Sequence, residues 1–292
     1  MDRNRHFFFR YIGSLLLFGF NGIVASHIPL DSTHIVLLRS LLGSMSLLAF
    51  FFLSRHRFSF TGRGQDVLLI CLSGAAMGAS WMLLYEGYQR IGVATASLLY
   101  YCGPVIVMAL SPLFFREKLT YVKLIGFSAV CAGIVLINGL SGEALNVIGC
   151  ICGIGGAVFY AVMLILNKKA RSVDGMENSL LQMLSATATT VLFLLCREQL
   201  SFSVTEGRVW LWILLLGLVN TGFGCWCYFS AIGALPVQTV AVCGYIEPMS
   251  AVVFSALLLR EHMTPPQLLG AVLIVGGALF AECVRSGKTQ RA

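Results

Sequence analysis

Apolar stretches of about twenty residues follow one another along the whole chain, separated by short joints that hold most of the charged side chains. A helix that crosses a bilayer needs about 20 predominantly apolar residues. On that rule the pattern predicts ten spans, at residues 10–28, 33–53, 66–88, 93–115, 121–140, 147–167, 178–196, 210–232, 237–259 and 267–284. The joints after the third and eighth spans are the tightest, so those divisions are the least marked. The expected fold class is an all-α integral membrane protein. Composition agrees: 58% of the 292 residues are hydrophobic and 11% charged, against roughly 25% charged in soluble domains. The basic opening leads into an apolar run that continues to about Ile28 with more spans behind it, so a retained first helix is expected rather than a signal peptide.

Charge adds an orientation. A net charge of +7 would suit nucleic acid in a soluble protein, but here the basic residues lie in the joints. With the N-terminus inside, cytoplasmic joints and tails hold 15 of the 20 Lys and Arg. The outer joints hold only Arg90, Arg197, Arg208 and Arg260, and Arg39 lies within a span. The positive-inside rule then predicts both termini in the cytoplasm and an even number of spans. The expected setting is the plasma membrane of a cell, a bacterial inner membrane, crossed many times. The expected partners are the lipid bilayer and a small-molecule substrate, with no nucleic acid, and the expected working unit is a monomer. Ten cysteines include the pairs Cys150/Cys152 and Cys225/Cys227. Without companion His or C-x-x-C spacing they read as packing residues, so neither metal nor cofactor is expected.

The two halves of the chain match. A shift of 144 positions lays Pro104 on Pro248, Arg116-Glu117 on Arg260-Glu261, Gly126 on Gly270 and Gly133 on Gly277 without a gap. The same shift pairs Gly78 with Gly222, Tyr101 with Tyr245 and Thr120 with Thr264. Two five-helix repeats are therefore expected, residues 1–140 and 141–292, the second ending in a short tail. Five is odd, so the second repeat must lie inverted relative to the first. Inverted repeats are a plan of secondary transporters, with the substrate site near the midplane between them. The physical sense is that two related states arise when the halves exchange conformations.

At these residues the chain resembles a known family. Tyr245-Ile246-Glu247-Pro248, followed by Leu257-Leu258-Leu259-Arg260-Glu261, Gly270 and Gly276-Gly277, is similar to the end of an EamA-type repeat of the drug/metabolite transporter superfamily. Gly103-Pro104 with Phe115-Arg116-Glu117, Gly126 and Gly133 resembles it in the first half, and Arg39 within Leu37-Leu38-Arg39-Ser40 is similar too. The resemblance implies a ten-helix carrier with a central cavity that exports or exchanges amino acids or related metabolites, some relatives handling sugars, nucleobases or drugs. Arg116 and Arg260 depart from the small residue often found before the Glu.

Candidate site residues follow from the cost of polarity in lipid. Glu247 sits mid-span beside Pro248, where an acid costs about 2.5–3.5 kcal/mol, and so suits a proton or cation site or a locked kink. Arg39 could grip a carboxylate, snorkel outward or pair with Glu86. Pro104 and Pro248 each remove a helical hydrogen bond and are candidate hinges. Asn21, Trp81, Tyr85, Tyr101, Tyr160, Trp226, Tyr228 and Tyr245 are amphipathic or polar residues within spans that suit cavity lining or ordinary packing. Glu117 and Glu261 read as loop-edge acids that cap a helix end or pair locally with Arg. No phosphate-binding loop, H-E-x-x-H or G-x-S-x-G occurs, so direct ATP drive and enzyme activity are not expected. The leading expectation is a carrier of an amino acid or related compound, acting in export; the alternatives are a multidrug or organic-cation exporter and, behind both, a membrane-embedded enzyme.

Overall fold

A computed structural model describes residues 2–54, 64–103, 106–107, 110, 114, 121–139, 146–170, 173, 175–199, 201, 207–232, 235, 243–261 and 263–289. Every regular element among them is helical. Bilayer hydrocarbon offers no water to backbone groups, so an apolar chain must satisfy them within helices. In order these are α1 (Asp2–Gly19), α2 (Asn21–Ser26), α3 (Ser32–Leu53), α4 (Gly64–Ile91), α5 (Val93–Tyr100) and α6 (Tyr121–Gly139). Then come α7 (Val147–Lys169), α8 (Gly175–Cys196), α9 (Gly207–Leu214), α10 (Gly224–Ile232), α11 (Ile246–Phe254) and α12 (Pro265–Thr289). Two π-helical stretches are spliced in: Leu215–Phe223 joins α9 to α10, and Ser255–Leu259 continues α11. Among the described residues six helical stretches are long and apolar enough to cross a membrane: His6–Ser26, Ser32–Leu53, Gly64–Ile91, Val147–Lys169, Met176–Cys196 and Gly207–Tyr228.

Several boundaries differ from the sequence reading. The first helix starts at Asp2, because no Gly or Pro interrupts its polar opening, and it breaks at Phe20. The third runs on to Ile91 and meets the fourth through Gly92 alone, at φ +78°, a left-handed turn that glycine adopts at low cost. The expected fourth span is helical to Tyr100 and turns at Tyr101–Cys102; the expected ninth turns at Tyr245. These are the two tyrosines that the 144-residue shift pairs, and each turn precedes a sequence proline by about one helical turn.

The packing is reciprocal. Helix α4 lies against α7 and α8; α3 lies against α8 and the first π stretch; α1 lies against α10 and α11; α5 lies against α7 and α11; α6 lies against α12. Adding or subtracting 144 exchanges the α4–α7 contact with that of α10 and α1, exchanges the α4–α8 contact with that of the first π stretch and α3, and turns α3–α8 and α6–α12 each into itself. Glycines allow the close approaches. A Cβ on Gly133 would sit 2.6 Å from the Gly270 carbonyl oxygen, and one on Gly277 would sit 3.0 Å from that of Gly126. Gly78 meets the Ala186 carbonyl at 2.8 Å in the same sense. Gly19 brings α1 against the Glu247 carbonyl at 2.8 Å, which seats α11 beside the break in the first span.

Candidate functional site

Arg39 stands about two turns into α3 and is only 4% exposed. A buried guanidinium needs partners. Its Nε donates to Thr221 Oγ1 at 3.2 Å and Nη1 donates to the Tyr85 hydroxyl at 2.5 Å. Its carbon lies 4.2 Å from the centre of the Trp81 ring and 5.1 Å from that of Tyr85, within cation–π range. All of these partners are neutral. Glu86, the acid considered for it in the sequence, instead accepts from Arg90 at 2.6 Å and from Ser32 at 2.5 Å. Glu86 and Arg90 lie four apart on one helix face, where such pairs form locally. Among the described residues no carboxylate stands within ion-pair distance of Arg39.

Across from it lies Glu247, second residue of α11, with Tyr101 lining the same chamber. Arg39 and Glu247 face one chamber of about 50 Å³ between the helices. Asn21, Trp81, Tyr88, Ser97, Tyr100 and Tyr101 complete its polar and aromatic lining. Three tyrosines, Tyr88, Tyr100 and Tyr101, face the same chamber as the acid. The acid thus sits within a shell of phenols rather than hydrocarbon alone.

The residues singled out in the sequence divide. Asn21, Arg39, Trp81, Tyr101 and Glu247 line the chamber, and Tyr85 holds Arg39 at its edge. Tyr160 packs on Tyr100 with ring centres 5.2 Å apart, one layer out. Tyr228 packs on Tyr11 and Phe18, at 5.5 and 5.9 Å. Trp226 packs near Arg10 and Phe50 in the first turn of α10. Tyr245 packs against the cluster around Leu98 and Ile274. Pro248 is buried in the first turn of α11, where a missing N–H costs nothing; Pro104 lies outside the described residues. The sequence reading passed over Tyr88 and Tyr100, although Tyr88 extends the Trp81–Tyr85 face at helical spacing. It also passed over Asn220 and Thr221, which reach the site from the first π stretch.

A second, larger hollow of about 240 Å³ lies toward the ends of α2 and α4, lined by Ser26, Ile35, Tyr85, Tyr88, Gln89 and Val93 among others. Tyr88 borders both spaces and is the wall between them. Above it, Glu261 reaches across the molecule to the start of α5. Its carboxylate accepts from the backbone N–H groups of Val93 at 2.9 Å and Ala94 at 3.1 Å, and from the Ser255 hydroxyl. It is a helix cap, as its position in the sequence suggested, but on a helix 168 residues away.

A bundle of apolar helices around a buried chamber with one acid and one base, next to a more open hollow, defines a membrane transport protein. The chain belongs to the EamA-like transporter family, whose model matches it twice, over residues 8–139 and 147–282. It is 24% identical to the uncharacterized transporter YxxF of Bacillus subtilis strain 168, covering 94% of this chain and 89% of that one. It is 24% identical to the threonine/homoserine exporter RhtA of Escherichia coli K12, over 87% and 81% of the two chains. A probable terminal-alkyne amino-acid exporter of Streptantibioticus cattleyicolor is 26% identical over 79% of this chain and 78% of its own. A crystal structure with a TM-score of 0.66 and 18% identity, covering 95% of this chain and 98% of its own, shares the fold. Its setting is the cytoplasmic membrane.

Proposed function

We propose that the protein is a secondary transporter that moves an amino acid or a closely related compound out of the cell by alternating access. In this reading it has ten spans in two inverted five-helix repeats, residues 1–140 and 141–292, with both termini in the cytoplasm. It is a carrier and not an enzyme. One observation carries the substrate class: Arg39 has no acid partner among the described residues, and Glu247 faces it across a single chamber. One fixed positive and one acidic group in a low-dielectric space suit a zwitterion. The names of the two exporter relatives point the same way.

The chamber, at about 50 Å³, is far below the roughly 300 Å³ at which ligand pockets begin. Loading therefore requires the wall at Tyr88 to move or the halves to part, which is the behaviour of an occluded carrier state. A second reading, an organic-cation exporter, draws on Glu247 and the rings of Trp81, Tyr88, Tyr100 and Tyr101. Arg39 stands against it, because its guanidinium already covers the face of Trp81 and repels a second cation.

Counterflow in proteoliposomes preloaded with amino acids tests the reading. Accumulation of a labelled amino acid that Glu247→Gln or Arg39→Lys abolishes supports it, and a dependence on imposed pH gradient that disappears in Glu247→Gln assigns proton coupling to that acid. Movement of a cationic dye without any amino acid would replace it with the second reading.

A further inference from the structure

Two neighbouring residues of the first π stretch set the orientation of two donors in the chamber. Asn220 is 1% exposed, and its amide nitrogen donates to the Leu17 carbonyl at 3.2 Å and to Asn21 Oδ1 at 3.1 Å. The Leu17 carbonyl is a fixed acceptor at the end of α1, so it dictates that Asn220 turns its NH2 toward the first span. Asn21 must then offer its oxygen to Asn220 and turn its own NH2 away. Asn21 is 7% exposed and lines the chamber, and its Nδ2 has no hydrogen-bond partner among the described residues.

Thr221 does the same for Arg39. Its hydroxyl donates to the Leu216 carbonyl, five residues back, at 2.8 Å. That i−5 acceptor is one the wider π turn presents. The hydroxyl oxygen is thereby left facing Arg39 Nε as an acceptor, at 3.2 Å. With Nε on Thr221 and Nη1 on Tyr85, Nη2 has no partner among the described residues. Among the described residues the sealed side-chain atom without a partner is Thr264 Oγ1, so these two donors are open to the chamber they border rather than closed off. Donors without acceptors call for an acceptor-only ligand, and a carboxylate has two oxygens to fill them.

We propose that Asn21 Nδ2 and Arg39 Nη2 together recognise the carboxylate end of the substrate, and that Asn220 and Thr221 are the positioning residues that aim them. This rests on the carrier reading above. It makes a carboxylate obligatory: the decarboxylated amine of a transported amino acid is a poor substrate.

The test is Asn21→Asp, measured with a transported amino acid and its decarboxylated amine. The variant keeps the Oδ1 that Asn220 holds and exchanges only the chamber-facing NH2 for an oxygen, so that a donor to the carboxylate is lost. Two readouts are taken on the full chain: thermal stabilisation of the detergent-solubilised protein by each compound, and counterflow. The expected result is a loss of roughly tenfold to a hundredfold in affinity for the amino acid, with the amine unchanged or improved. Thr221→Val should weaken the amino acid in the same direction and by less, and Thr221→Ser should restore it. Equal loss for both compounds, or no loss for either, overturns the proposal, since a purely structural Asn21 would behave so. If wild-type protein is stabilised and transported by amines and by no carboxylate compound, the proposal falls while the carrier reading stands. If no compound moves in counterflow but carboxylate compounds stabilise wild type and not Asn21→Asp, the carrier reading falls and the site stands.

Discussion

Arg39 shows what a single side chain in lipid must do to be tolerated. Its bonds to Thr221 and Tyr85 and its stack on Trp81 use its planar shape, not only its charge. Arg39→Lys keeps the charge and loses the fork, so substrate affinity should fall about tenfold or more while the protein still folds; the KM of counterflow and the melting temperature read the two effects separately. Tyr85→Phe removes one bond to the same guanidinium and should produce a smaller loss. The charged members of this site were legible in the sequence because an Arg or Glu inside an apolar run has few structural excuses. The aromatic members were only half legible. Trp81 and Tyr101 reach the chamber, whereas Tyr228 and Trp226 have the same chemistry and pack elsewhere, because residue type does not say which helix face turns inward. Asn220 and Thr221 were missed for the opposite reason: small neutral polar residues are common in spans, where many simply bond back to their own helix, as Thr189 and Thr190 do here.

At the scale of elements, the joint between α4 and α5 depends on two residues far apart in sequence. Gly92 at φ +78° makes the turn, and a Cβ there would lie 2.8 Å from Glu261 Oε1. Gly92→Ala therefore suffers both the left-handed backbone and the clash, an expected loss of about 1–2 kcal/mol, seen as a lower melting temperature. Glu261→Gln keeps the shape and weakens the charge-assisted cap, with an expected loss of roughly 1 kcal/mol. The two losses should not add, since both act on one contact. A cap at Glu261 could be expected from its place at a span's end, but its target could not, because nothing local to residue 261 names residue 93. The π stretches were likewise invisible: hydropathy patterns tell apolar from polar and do not register one extra residue in a turn.

For the whole molecule the informative positions are the glycines. Gly126, Gly133, Gly270 and Gly277 were paired by the repeat in the sequence, and in the structure they meet one another between α6 and α12. The obstacles there are backbone atoms, which cannot swing aside, so Gly133→Ala and Gly277→Ala should each lower thermal stability, and Gly133→Ala more, since its Cβ comes within 2.6 Å of a carbonyl. The α6–α12 contact, like that between α3 and α8, also has a property that the contacts of α4 lack. Exchange α4 for its counterpart and the α4–α7 contact becomes the α10–α1 contact, a different place in the molecule. Exchange α6 for α12 and the contact becomes itself. If transport consists of the two halves trading shapes, a seam such as α4–α7 has to open on one face as its image closes on the other, but the α6–α12 and α3–α8 seams look the same before and after. On that reading α6–α12 would serve, together with α3–α8, as the axle of the machine. A covalent cross-link between α6 and α12 should leave the turnover rate intact, while one that ties residue 92 to residue 261 should stop the cycle at a single stroke.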